Sequence, residues 1–191
     1  YQYNAEGYKI SETNKNGATT SYVYDLAGRL ITAYYPDGTR RRYNYDNNGN
    51  VISIINPKGY VTKYYYDKLN RVIKVEDSNG KAVTYEYDGC GNVICFKDKK
   101  GRETRYEYDA LDRVKRVIAP NGAQTEYEYD AEGRVVKVTD AKGRSEEYMY
   151  DELGRVVVYK DKLGNVIKYA YDKVGNRTQL IDRRGNATKY E

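Results

Sequence analysis

One interval governs this chain. Aligned on the residue after the second tyrosine of a Y-x-Y-D stretch, Asn4, Asp25, Asp46, Asp67, Asp88, Asp109, Asp130, Asp151 and Asp172 each lie 21 residues from the next, with no insertion or deletion. A row of glycines running from Gly17 and Gly38 to Gly185 keeps the same interval. Repetition at this length marks a quasi-one-dimensional array, in which each unit packs against its neighbours. The expected organisation is a single array of about nine repeats over residues 1–191. Both termini fall inside a repeat and the first residue is Tyr1, so the chain is expected to be a fragment of a longer protein.

Every repeat carries two turn signals, D-x-x-G as in Asp25 to Gly28 and D/N-x-x-G as in Asp98 to Gly101. In a type I turn, Asp or Asn suits the first position because its side chain bonds the following backbone. Glycine suits the fourth because that residue turns left-handed. The prolines support this assignment: Pro36, Pro57 and Pro120 all fall at the second position of the second turn, where φ near −65° is wanted. Where the first turn lacks its glycine, the substitutes are Asn70 and Asp112, the residues that best tolerate the left-handed region. Sixteen of the seventeen glycines occupy these slots.

The segments between turns alternate as strands do. Outgoing segments place tyrosines two apart (Tyr22 and Tyr24, Tyr127 and Tyr129), with polar neighbours such as Glu107 and Glu128. Returning segments place aliphatics two apart, as in Ile52 and Ile54 or Val136 and Val138. One hairpin per repeat and about eighteen strands follow. The odd period sharpens this. Two identical three-residue loops would advance the pairing by 20 residues per repeat and turn the tyrosines over each time. A period of 21 keeps them on one face if one connection carries an extra residue, as a longer loop or a bulge. Placed at the D-x-x-G-R turn, it sets Tyr24 opposite Ile31 and Tyr22 opposite Ala33. The expected fold is all-β: antiparallel hairpins in one long sheet with a tyrosine and aliphatic face and a mostly polar face. So wide an aromatic face must curl inward or be covered, giving a shell-like, tubular or superhelical form.

Composition agrees. With 25 tyrosines, one phenylalanine, no tryptophan, no histidine and 32% charged residues, the chain is rich in strand formers and poor in the bulk of a helical core. The net charge of +5 is spread along the chain without a basic stripe, so nucleic acid is not an expected partner. No apolar run approaches a membrane span.

The unit Y-x-Y-D-x-x-G-R/N followed by V-x-x-V, as in "YEYDALDRVKRV" and "YEYDAEGRVVKV", resembles the YD repeat of the Rhs family over essentially the whole chain. That family includes bacterial polymorphic toxins, cocoon-forming components of insecticidal toxin complexes, wall-associated proteins and teneurins. The resemblance implies a ribbon of hairpins that spirals into a hollow shell enclosing a toxic C-terminal segment, and it implies scaffolding rather than catalysis. Two departures stand out. No Asp-Pro dipeptide exists here, so the family's aspartyl self-cleavage has no site in this chain, and the period is more regular than a shell with variable loops would show.

Sites are therefore not expected. Paired carboxylates hydrolyse glycosides, but catalysis needs one unusual site and here the cluster recurs in equivalent settings. Asp151 and Asp161 lack the D-x-D-x-D-G spacing that converges oxygens on calcium. Cys90, in a turn, and Cys95, on the next strand, are read as reduced and incidental, and without histidine they make no nucleophile pair or zinc set. The sequons at Asn176 and Asn186 are read as chance occurrences. No catalytic, cofactor or metal residue is assigned. The expected function is a non-enzymatic scaffold of a large secreted or cell-surface protein, bacterial in source, forming part of a shell that encapsulates a cargo or toxin. Its expected partners are further YD repeats, an enclosed toxin polypeptide or surface glycans. The alternatives are an extracellular filament and a carbohydrate-binding adhesion module, since exposed tyrosines suit saccharide stacking.

Overall fold

The computed structural model describes residues 1–190. Among them there is no helix, and all nineteen strands belong to one antiparallel sheet. In chain order they are β1 (Gln2–Tyr3), β2 (Lys9–Thr13), β3 (Thr19–Tyr24), β4 (Leu30–Tyr34), β5 (Arg40–Tyr45), β6 (Val51–Ile55), β7 (Val61–Tyr66), β8 (Val72–Glu76), β9 (Ala82–Tyr87) and β10 (Val93–Lys97). There follow β11 (Glu103–Tyr108), β12 (Val114–Ile118), β13 (Gln124–Tyr129), β14 (Val135–Thr139), β15 (Ser145–Tyr150), β16 (Val156–Lys160), β17 (Val166–Tyr171), β18 (Arg177–Ile181) and β19 (Ala187–Lys189). Two compact units can be distinguished among the described residues, 1–86 with 96–102 and 87–95 with 103–190. In the first, β1 to β9 pair in chain order. In the second, β11 to β19 do the same.

Both turns of the repeat have the same geometry. At the first, the Asp25 amide donates to the Arg29 carbonyl at 2.9 Å and the Gly28 amide to the Asp25 carbonyl at 3.0 Å. At the second, the equivalent bonds of Asp98, Gly101 and Arg102 are both 2.9 Å. This is a type I turn closed by a left-handed residue, the usual three-residue hairpin loop. Sixteen glycines have positive φ, and the two glycine-less first turns put Asn70 at φ 59° and Asp112 at φ 58°. Gly89, the second residue of its turn, is the one glycine outside that set.

The extra residue expected from the odd period is a bulge, and it lies one step beyond the first turn. Tyr22 faces Ala33 as anticipated, but Tyr24 pairs with Leu30 and not with Ile31, which is the additional residue. The loops are thus equal in length and the return strand absorbs the mismatch. The same shift recurs at Tyr45, Tyr66, Tyr108, Tyr129, Tyr150 and Tyr171, whereas the pairings across the second turn are unbroken. A classic-type bulge of this kind changes the side-chain phase by one and so restores the tyrosines to their face.

A second consequence is a stagger. Tyr22 pairs with Ala33 and Ala33 with Arg41, which lies two residues before Tyr43, the tyrosine equivalent to Tyr22. Each repeat is therefore displaced by two residues along the strand, about 7 Å at roughly 3.3 Å per residue. Each tyrosine is carried over the repeat before it.

The two faces differ in chemistry. One carries tyrosines opposite aliphatics, as in Tyr43 with Ile54, Tyr64 with Val75, Tyr127 with Val138 and Tyr169 with Leu180. The other carries cross-strand charge rows. Arg116 bridges Glu107 at 3.1 Å and Glu126 at 2.8 Å, and Lys137 bridges Glu128 at 2.9 Å. A single sheet has no second layer to close a core: among the described residues only Ala33 and Cys95 are buried, at 4% and 5% exposure, and the tyrosines of the inner positions remain half-buried.

Candidate functional site

The recurring tyrosine, aspartate and arginine cluster is the part of the repeat richest in polar chemistry. It is assembled from two consecutive first turns. In the turn after β13, Asp130 Oδ1 accepts the Arg134 amide at 2.9 Å and Oδ2 accepts Arg134 Nε at 2.6 Å. The guanidinium so held lies 4.8 Å from the centre of the Tyr150 ring in the following repeat, and its Nη1 donates to the Asp151 carbonyl at 3.3 Å. The Tyr150 hydroxyl in turn donates to the Val135 carbonyl at 2.7 Å. The arginine of one turn is clamped by its own aspartate, stacked on the next tyrosine and bonded to the next turn's backbone. Cation–π stacking of this kind contributes about 0.5–2 kcal/mol depending on exposure.

The same latch joins Arg29 to Tyr45 and Asp46, Arg113 to Tyr129 and Asp130, and Arg155 to Tyr171 and Asp172. The hydroxyl-to-carbonyl bond, 15 residues back along the chain, recurs from Tyr24 to Lys9, Tyr45 to Leu30, Tyr66 to Val51, Tyr108 to Val93, Tyr129 to Val114 and Tyr171 to Val156. None of these inter-repeat contacts is visible as a motif. They need the two-residue stagger, and the signal that could have found them is the recurrence of Tyr at a fixed offset from Arg29, Arg71, Arg113, Arg134 and Arg155.

The electrostatics favour structure over proton transfer. The Asp25, Asp67 and Asp151 carboxyls are held below the ordinary value of 3.8 first by the amide of the arginine four residues on, with partial burial opposing and the guanidinium assisting. A general acid needs the opposite displacement. Burial pushes the Tyr129 and Tyr66 hydroxyls above the usual tyrosine value, which keeps them protonated as donors. Asp151 and Asp161, weighed above as cation ligands, are each engaged in their own turn, accepting the amides of Leu153 and Arg155 and of Leu163 and Asn165. Cys90 is exposed at a turn tip, its thiol pushed up by the carboxylates of Asp112 and Asp88, and Cys95 is buried in β10; no disulfide joins them. The sequon residues Asn176 and Asn186 donate their amides to Asp172 and Asp182 in their own turns.

The chain matches the family model of the teneurin YD-shell over residues 3–190. No curated protein matches it. Among solved structures, the Photorhabdus luminescens Tc holotoxin pore is similar at TM-score 0.62 and 16% identity over 99% of this chain and 14% of that one. A TcdB2–TccC3 structure without its hypervariable C-terminal region is similar at TM-score 0.50 and 14% identity, over 98% of this chain and 16% of that one. At such identities the likeness is one of fold, and this chain spans only about a seventh of the length of these proteins.

Proposed function

The chain belongs to the teneurin YD-shell family, and from that membership we propose that it is a non-enzymatic segment of a secreted or surface-delivered shell whose tyrosine face encloses a cargo polypeptide. The observation that carries this reading is the sheet's apolar face: in each of the two units the tyrosines and aliphatics of that face stay half-buried and are not closed into a core. Leaving such a face in water is unfavourable at roughly 25 cal/mol per Å² of apolar surface. A lumen filled by another polypeptide, with further YD repeats continuing the wall, removes that exposure. The fold shared with two Tc toxin structures supports the same reading. The latch suits it as well, because it ties neighbouring repeats together and holds the turn carboxyls of Asp25, Asp67 and Asp151 below their ordinary value.

Electron microscopy of the full-length protein tests the proposal. Closed hollow particles with internal density are expected. Fibres of uniform width, the filament alternative, would overturn encapsulation.

A further inference from the structure

The residue that follows the first turn varies in step with the fourth residue of the first turn in the next repeat, twenty positions on. Eight such pairs lie within the chain. In six, a long side chain (Tyr8 or an arginine) is followed by glycine; in the other two, Asn50 and Asn92 are followed by Asn70 and Asp112. No pair mixes the types. In the row of second turns the fourth residue is glycine in every case, including Gly185 twenty positions after Asn165, so the coupling belongs to the first-turn row alone.

The geometry explains both types. Asn50 Nδ2 donates to Asn70 Oδ1 at 2.7 Å and to its own turn's Asp46 Oδ2 at 3.0 Å. Asn92 Nδ2 does the same with Asp112 Oδ1 at 2.7 Å and Asp88 Oδ2 at 3.1 Å. In three of the six long-type pairs the long side chain itself lies against the next turn's glycine. A Cβ added at Gly28 would overlap the Tyr8 hydroxyl, and at Gly133 and Gly154 it would lie 3.9 Å from Arg113 Nη1 and 3.8 Å from Arg134 Nη1. At Gly49, Gly91 and Gly175 a Cβ meets nothing within 4 Å, so the fit is tightest at the other three.

We propose that these two positions form a matching code on the repeat-to-repeat interface, and that the partner it selects is a YD hairpin of the complementary type. A turn followed by arginine or tyrosine seats against a turn ending in glycine; a turn followed by asparagine seats against one ending in Asn or Asp. An array of nearly identical hairpins has many wrong neighbours available, from a skipped repeat or another copy, and identical β-ladders do not distinguish them. The code does. Arginine set against Asn or Asp must share the surface of the next turn with a second side chain, and asparagine set against glycine loses the acceptor of its amide.

Two double-mutant cycles on the full chain test this, one with Asn50→Arg and Asn70→Gly, the other with Arg134→Asn and Gly154→Asn. Urea midpoints and amide exchange at the paired turns are the readouts. Each single substitution is expected to destabilise and each double to recover, with the unfolding equilibrium constant of the double differing by about tenfold from the product of the singles. If a single variant fails to fold, a folded double supports the code by rescue. Additive effects in both cycles, or doubles that fail with their singles, overturn it.

Discussion

At the scale of single residues, backbone conformation and hydrogen bonding decide what each position tolerates. The D-x-x-G pattern predicts a left-handed fourth residue, and the backbone bears this out down to Asn70 and Asp112. Gly101 has φ 79° and open space around it, so Gly101→Ala tests conformation without crowding. A loss of about 1–2 kcal/mol is expected in urea unfolding, and less for Gly101→Asn. The turn aspartates set the response to acid. Their folded-state values lie below 3.8, so the stability they contribute is present above that value and is lost as pH falls through the lowered folded values. A thermal midpoint flat above about pH 5 and falling steadily below it is expected; a midpoint rising on acidification would contradict this account.

At the scale of the hairpin, the bulge is the decisive element. The odd period shows that an extra residue exists, and its placement near the first turn follows from keeping the tyrosines on one face. That it sits inside the return strand, leaving Tyr24 on Leu30, does not follow, because a longer loop and a bulge satisfy the same parity. Deleting Val136, the extra residue of the β13–β14 hairpin, removes the phase correction and turns every following tyrosine toward the charged face. Expected results are loss of amide protection from β14 onward and loss of cooperative unfolding, whereas Val136→Ala, which keeps the count, retains both.

At the scale of the whole molecule, the repeat is a unit of register as well as of sequence. Removing residues 130–150 joins Tyr129 to Asp151 and leaves all pairings in phase, with Arg113 set against Gly154, a matched pair. That 21-residue deletion is expected to fold with an unchanged circular dichroism spectrum per residue and a modest drop in midpoint, as nearest-neighbour models of repeat arrays require. A 20-residue deletion over the same region is expected to fold as poorly as the Val136 deletion. Equal stability of the two shortened chains would refute a register-based account of the period.

By itself the sequence determined the local physics: which residues turn left-handed, which positions are strands, which side chains share a face, and that an extra residue accompanies each repeat. These follow from steric limits on φ and from the two-residue period of a strand, which act within a few residues. Only the tertiary structure decided where the extra residue sits, and through it the two-residue stagger that brings Arg134 onto Tyr150 and Tyr150 onto Val135. The reason is that inter-strand register is set by hydrogen-bond pairing between segments. Alternatives one residue apart use the same turns and nearly the same side chains, so no local signal separates them.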